Sequence, residues 1–438
     1  MSTAREDALD IFLYALKASR VGPAMEQRLV SRDGVMEIDG HRYALGGYER
    51  LVLIAIGKAA HTMSAAFLRQ VGDAREQFEG IIVGPEDEAA PSQGFRVYRG
   101  GHPSPNAGSM EAAADILQTL QTLTERDLVV FLISGGGSAL AEQFLEPDTL
   151  LETIAATHKA LVESGAPIAA INAVRKHLSA VKGGRLAAAA APAEQLTIFV
   201  SDVPKGELDA LSSGPTFPDR STVDDAYRIA EEYGLEERLP AAIAEKIVAR
   251  SLVETPKEGD AAIFGRLRWS VLLDSASLEE AGARRARELG WHVEIDDSCD
   301  DWSAERAVEY LLGRLAELRR GRERVCLLSA GEVTVQISRD AQGKGGRNQH
   351  FALLASTPIA GSEVVVLSGG SDGIDGNSPA AGALVDGTTL VRAEEKGYPV
   401  SAALAAFDGH TLLERLGDTI TTGPTGNNLR DLRVLLAP

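Results

Sequence analysis

Leu128-Val129-Val130-Phe131-Leu132-Ile133 runs directly into Ser134-Gly135-Gly136-Gly137-Ser138, with Ala139-Leu140 following. Six apolar residues with no polar alternation predict a strand buried on both faces, the kind found in a helix-covered parallel sheet. The abrupt change to small residues marks the carboxyl end of that strand. The same punctuation recurs along the chain. LVLIAI (51–56) stops at Gly57-Lys58-Ala59-Ala60, and LTIFV (196–200) stops at Ser201-Asp202-Val203-Pro204. VCLL (325–328) stops at Ser329-Ala330-Gly331-Glu332, and VVVL (364–367) at Ser368-Gly369-Gly370-Ser371-Asp372-Gly373.

Helical patterns separate these runs. Leu9, Phe12, Leu13 and Leu16 share a face near the start, with Gly22-Pro23 expected to end the helix. Leu151, Ile154, His158, Leu161 and Val162 mark another helix, and Val308, Leu311, Leu312, Leu315 and Leu318 a third. SVLLDS (270–275), a helix from Ser277 to Leu289 and WHVEID (291–296) read as a βαβ unit. The fold class expected is α/β: two domains, each a largely parallel sheet covered by helices, with the active site in the interdomain cleft. The polar stretch VETPKEGD, with its Pro and Gly, predicts a linker near 250–262. The domains expected are therefore 1–250 and 260–438.

Composition bounds what such a chain does. At 438 residues it exceeds a single ordinary domain, and its 63 acidic against 44 basic residues give a net charge of −19. That excess argues against nucleic-acid binding, which needs clustered positive charge. The apolar runs are too short to span a membrane. Two cysteines, Cys299 and Cys326, are too few for a disulfide framework or zinc site. No export signal opens the chain, so a soluble cytoplasmic protein is expected.

Ligands of open α/β sheets bind beyond the carboxyl ends of the strands. Ser134, Gly135, Gly136, Gly137 and Ser138 form a phosphate-cradle candidate, in which glycine lets backbone N–H groups turn inward. A tight turn without ligand explains the same residues less fully. Lys58 and Arg347 are each expected at a helix start, where a cation opposes the macrodipole unless an anion sits there too. Arg347 follows Gly343-Lys344-Gly345-Gly346, and glycine clears space for its planar fork to meet phosphate or carboxylate. Arg175, Lys176, His177, Lys182 and Arg185 make the strongest basic cluster, with Arg175 and Lys182 seven apart on one face. The alternative for them is a solvated helix face. Asp202 ends a strand before Pro204 and could take a hydroxyl proton or help hold Mg²⁺, or close an Asx turn on its own backbone. Glu332 and Asp372 occupy equivalent strand ends. Asp375 reads as turn chemistry, and His102 in Gly101-His102-Pro103 as structural. Neither GxxxxGK[ST] nor GxGxxG occurs, and no metal-ligand set is evident.

These segments together resemble the class II glycerate kinases, whose C-terminal region is called the MOFRL domain. The resemblance covers nearly the whole chain. It is carried by IGKAA (56–60), GHPSPN (101–106), LISGGGSAL (132–140), VRKHLSAVKGGRLA (174–187), SDVP (201–204), SSGPT (212–216), GKGGRNQ (343–349), SDGIDG (371–376) and TGPTGNN (422–428). It implies phosphate transfer from ATP to D-glycerate with Mg²⁺, at the 2-hydroxyl, giving 2-phosphoglycerate and ADP. It further implies Lys58 and Arg347 as the residues on which activity depends, and Asp202 near the glycerate hydroxyls. Nucleotide is expected at Ser134–Ser138 with Lys182, Glu332 and Asp372. Departures from the family pattern include His350 after GGRNQ and Lys205-Gly206 after SDVP. Two other readings stand beside the kinase: an NAD(P)H-dependent hydroxypyruvate reductase, a name some members carry, and a non-catalytic hydroxy-acid sensor. The expected partners are small molecules, with neither nucleic acid nor membrane, and a homodimer is left open.

Overall fold

In the computed structural model, which describes residues 3–86, 89–337 and 341–438, the chain divides into two compact units. One is Ala24–Leu272; the other joins the stretch up to Pro23 to Leu273–Pro438. The boundary expected near 250–262 is therefore displaced. That polar segment docks within the first unit: Glu254 Oε1 meets His177 Nε2 at 3.0 Å, and Thr255 Oγ1 donates to Asp219 Oδ2 at 3.0 Å. Linker composition and a pinned polar strap look alike in sequence, because both are rich in hydrogen-bonding side chains.

The Ala24–Leu272 unit is built on a six-stranded sheet in the spatial order 95–99, 78–84, 51–56, 128–134, 194–200, 267–273. Strands Leu51–Ile56 and Leu128–Ser134 are buried at every position. They pair in parallel, Ile54 opposite Phe131, and pairing remains parallel outward to Phe95–Arg99 and Glu194–Val200. Numbered along the chain, the order is 3-2-1-4-5-6, so the direction of winding reverses between Leu51–Ile56 and Leu128–Ser134. That reversal is the switch point at which doubly wound sheets bind ligands.

A small antiparallel sheet, Leu29–Arg32, Val35–Ile38 and His41–Ala44, was not anticipated. Its turns are Asp33-Gly34 and Asp39-Gly40, all four residues at positive φ (51°, 75°, 47° and 79°). Asp-Gly is among the pairs preferred in two-residue hairpin turns that need positive φ at both central residues.

The second unit holds another six-stranded sheet, ordered 292–295, 325–330, 431–437, 365–370, 382–386, 419–420. Here the expectation of a largely parallel sheet fails. His292–Ile295 and Val325–Ala330 are parallel, but the other four pairings are antiparallel. The expected βαβ unit is also split: Leu267–Leu273 belongs to the first sheet, whereas Ser275–Glu288 and His292–Ile295 belong to the second unit. A local pattern specifies an element and not the sheet it joins. No helix among the described residues is long and apolar enough to cross a membrane.

The first helix, Ala4–Ala18, ends before Gly22-Pro23, and a second helix, Val21–Arg28, runs through them. Proline is tolerated there because the N–H groups of a first turn have no intrahelical partner. Ala8, Ile11, Phe12 and Ala15 are buried against the second sheet and the helix Ser275–Glu288. Arg5 pairs with Asp386 and Asp418, and Asp7 accepts from Trp291 Nε1 at 2.9 Å. The Phe12 ring fills the space above Gly369, where a Cβ would meet it at 2.6 Å. Phe12→Ala is expected to cost about 3–5 kcal/mol, because the ring is fully buried and its site cannot collapse. Urea unfolding followed by Trp291 and Trp302 fluorescence measures this; a loss under about 1 kcal/mol would mean that the helix is peripheral to its unit.

Candidate functional site

At the switch point of the first sheet, two loops are tied together by their backbones. The Lys58 N–H donates to Gly135 O at 2.9 Å and the Ala59 N–H to Ser134 Oγ at 3.0 Å. Gly57, at φ 135°, is obligatory: a Cβ there would lie 2.1 Å from Ser134 Oγ. The helix that follows begins at Ala60, so Lys58 sits two residues ahead of it on an exposed bend rather than at its first turn.

Four side chains close around the glycine loop. A Cβ on Gly135 would fall 1.8 Å from Asp202 Oδ2. One on Gly136 would lie 3.2 Å from both His102 Cδ2 and Lys58 Cγ, and one on Gly137 2.5 Å from Ser212 Oγ. The glycines are thus required by crowding as well as by turning. Lys58, Asp202 and the loop thus lie together. His102, read as structural, belongs to the same cluster, and burial together with the Lys58 charge lowers its pKa and favours neutral imidazole.

Ser212 was also missed. Its hydroxyl donates to Ser134 O at 2.8 Å and accepts from the Gly137 N–H at 3.1 Å, while Ser138 Oγ meets Ser213 Oγ at 2.9 Å. The Gly137 donor expected for phosphate is therefore used by the fold, and the helix after it, Gly137–Leu140, is a single turn. Ser212 and Ser213 hold φ of 50° and 61°, conformations non-glycine residues adopt only when their surroundings compel it.

In the second unit Arg347 is the first residue of the helix Arg347–Ser356. Its conflict with the macrodipole is resolved by the protein's own carboxylates. Asp375 accepts from the backbone N–H of Asn348 at 3.0 Å and of Gln349 at 2.9 Å, and from Gln349 Nε2 at 2.9 Å. Gly346 exists for this contact, since a Cβ there would strike Asp375 Oδ1 at 2.3 Å. GKGGRNQ and SDGIDG are accordingly two sides of one joint, and Asp375 is a helix cap rather than a turn former.

Arg347 itself donates Nε to Asp431 Oδ2 at 2.6 Å and Nη2 to Asp431 Oδ1 at 3.0 Å, with Nη2 also 2.8 Å from Glu332 Oε1. Burial works against its charge, but Asp431, Glu332 and Asp375 prevail and hold its pKa above the usual guanidinium value. Burial in turn raises Asp375, with Asp431 adding to the effect. Asp431 starts a strand antiparallel to both its neighbours, with Ala330 opposite Leu432 and Gly370 opposite Asp431, which places it at their carboxyl ends. Asp372 lies by the same edge; its Oδ1 accepts from the Ile374 N–H at 3.0 Å.

Lys182 is a correction. It is 1% exposed and its ammonium is bound to Glu142, itself fully buried, which also meets His158 Nε2 at 3.0 Å and accepts from Ser179 Oγ at 2.6 Å. A lysine so enclosed does not reach nucleotide. The face it was expected to share with Arg175 is absent because the helix ends at Leu178. Lys176 instead pairs with Asp219 at 3.0 Å, and burial lowers the pKa of Arg175 despite Glu142 nearby.

Known proteins with this architecture are readily found. Residues 325–431 match the MOFRL family, and residues 7–248 match a domain of unknown function, DUF4147. The chain is 35% identical to D-glycerate 2-kinase of Thermotoga maritima over 88% of its length and 90% of that protein. It is 34% identical to glycerate 2-kinase of Pyrococcus horikoshii, over 99% of this chain and 97% of that one. A putative hydroxypyruvate reductase of Agrobacterium vitis is 37% identical over 88% of this chain and 87% of its own. The crystal structure of a glycerate kinase from Thermotoga maritima superposes with a TM-score of 0.84 at 32% identity, covering 99% of both chains.

The Glu142 network makes a prediction opposite to the one a nucleotide-binding lysine would make. Lys182→Met leaves a carboxylate buried without its cation and is expected to cost about 3–5 kcal/mol of stability, with KM for ATP unchanged. Chemical unfolding and steady-state kinetics separate the two effects; a raised KM at unchanged stability would restore a ligand role. Burial alone would raise the Glu142 carboxyl, yet Lys182 and His158 bring it down to about 2. A depressed carboxyl stabilises the fold above its unfolded value, about 4.3, and that share of stability should fade as pH falls from there toward 2.

Proposed function

Because the chain belongs to the glycerate 2-kinase family, with the MOFRL region as its C-terminal part, we propose that Lys58, Asp202 and Arg347 carry the transfer of phosphate from ATP to the 2-hydroxyl of D-glycerate. The observation that carries this reading is the convergence of Lys58 and the Asp202 carboxylate on the glycine loop at the switch point of the first sheet.

Phosphoryl transfer needs little covalent help from a protein; positioning and charge neutralisation dominate. The substrate hydroxyl oxygen attacks the γ-phosphorus while the bond from that phosphorus to the β–γ bridging oxygen breaks, releasing ADP. Asp202 orients the hydroxyl and accepts its proton. Lys58, on an exposed bend against the loop, neutralises phosphate charge, and the half-buried Arg347 guanidinium does the same for phosphate or for the glycerate carboxylate.

Mg²⁺ in kinase sites is held by phosphate oxygens, water and one or two carboxylates. Asp202 has that chemistry, and among the described residues no group of three or more potential ligands forms a protein cage. The ion would arrive with the nucleotide and supply further neutralisation of phosphate charge. The reductase reading needs a dinucleotide site. The sheet order would suit one, but the loop after its first strand is Gly57-Lys58-Ala59-Ala60 and lacks the GxGxxG that lets backbone approach a pyrophosphate.

Incubation with D-glycerate, ATP and Mg²⁺ should release ADP in a glycerate-dependent manner, with 2-phosphoglycerate as the separated product and no NADH oxidation on hydroxypyruvate. Product found only at the 3-position, or turnover only with NADH, would refute the reading. Lys58→Ala and Arg347→Ala should each lower kcat by about 10²–10³ while leaving the circular dichroism spectrum intact. Wild-type turnover in both variants would sink the residue assignment.

A further inference from the structure

The clamp on Arg347 is built from residues that are adjacent only in the folded sheet. Asp431 and Arg433 stand two apart on one strand and so face the same side, while Arg347 and Phe351 stand one turn apart on the helix lying over that side. The two spacings match: Asp431 grips Arg347, and the Arg433 guanidinium lies 5.2 Å from the centroid of the Phe351 ring. Asp431 is fully buried. Arg433, also fully buried, is fixed by donating to Gly331 O at 2.9 Å.

Both ends of the Nε–Nη2 edge of Arg347 are therefore taken by a carboxylate with no room to move. The side chain nevertheless remains 37% exposed. A guanidinium gripped along one edge is fixed in plane and in rotation, which directs its remaining nitrogen, Nη1, to one place. Glu332, 31% exposed, lies 2.8 Å from Nη2.

We propose that Asp431 is a positioning residue for phosphoryl transfer, acting through Arg347 by fixing the orientation of its guanidinium. This rests on the assignment of Arg347 to the reaction. A carboxylate that merely neutralised a buried cation would serve equally well with lysine at 347; one that orients a planar fork would not, because an ammonium offers no edge to hold. The effect belongs to the transition state and should appear in kcat.

The test measures kcat, KM for D-glycerate and for ATP, and thermal unfolding in the full chain and four variants: Asp431→Asn, Arg347→Lys, the double variant Arg347→Lys/Asp431→Asn, and Arg347→Ala. Asp431→Asn should lower kcat by about 100-fold with KM for ATP within about threefold, and Arg347→Lys should do nearly the same. Asp431→Asn should then cost less than about threefold more in the Arg347→Lys background, since the geometry it protects is already gone. Turnover above about a third of wild type in Asp431→Asn overturns the inference, as does an equal loss in both backgrounds. Should Asp431→Asn fail to fold, Arg347→Lys decides alone, because it keeps Asp431 and the charge: turnover above about a tenth of wild type overturns the inference. Wild-type turnover in Arg347→Ala would remove the underlying assignment and the inference with it, whereas wild-type turnover in Asp431→Asn alone removes only the inference.

Discussion

The C-terminal strand, Asp431–Ala437, lies inside its sheet rather than at an edge, antiparallel to both Val325–Ala330 and Val365–Gly370. All seven of its residues are buried. A strand in that place has its backbone groups satisfied on both sides, and its Leu435 and Ala437 join the core that holds the helices Ala304–Leu318 and Arg347–Ser356. Its direction brings its first residue to the carboxyl ends of its neighbours. Asp431 reaches Arg347 for that reason, and the Glu332 and Asp372 loops end at the same edge. The last strand in sequence thereby determines where the functional groups of this unit meet.

A different constraint governs the Ala24–Leu272 unit. There the sheet is doubly wound, and the reversal of winding leaves a gap above Leu51–Ile56 and Leu128–Ser134. The gap is narrow. Lys58, His102, Asp202 and Ser212 all press on three consecutive glycines, and no Cβ fits at the first or third of these without a clash. Ser212 and Ser213 bear unfavourable backbone conformations while bridging the loop from the far side. Strain of this kind persists only where the surroundings over-determine it, and here they fix the position of Lys58 and Asp202.

The acidic excess of the chain takes opposite forms in the two units. Around Arg347, carboxylates surround a half-exposed guanidinium and keep it charged. Around Lys182, a fully buried carboxylate, Glu142, is satisfied by an ammonium, an imidazole and a hydroxyl, closing a polar network inside the protein. Both contain basic residues that stand out in an acidic sequence. The difference is burial: a network with every member satisfied internally has nothing to offer a ligand, whereas an arginine held along one edge still presents a donor.

The buried strands, the glycine loop, Lys58, Asp202 and Arg347 were legible in the sequence. Apolar runs that end on glycine carry their meaning locally, through the period of the strand and the steric allowance of the turn. The two Asp-Gly hairpins are equally legible. Asp375 and Asp431 were not legible in their roles, since a helix cap supplied from 26 and 27 residues away and a clamp supplied 84 residues away leave no local mark. Which sheet each strand joins, that the first helix packs with the last strand, and that Lys182 is sealed against Glu142 were likewise beyond local pattern. Sequence determined the elements and the residue chemistry at their ends, because propensity and periodicity act over a few neighbours. Tertiary structure alone decided which of those charged groups meet and which are enclosed, because pairing across a sheet and burial in a core depend on residues far apart in the chain.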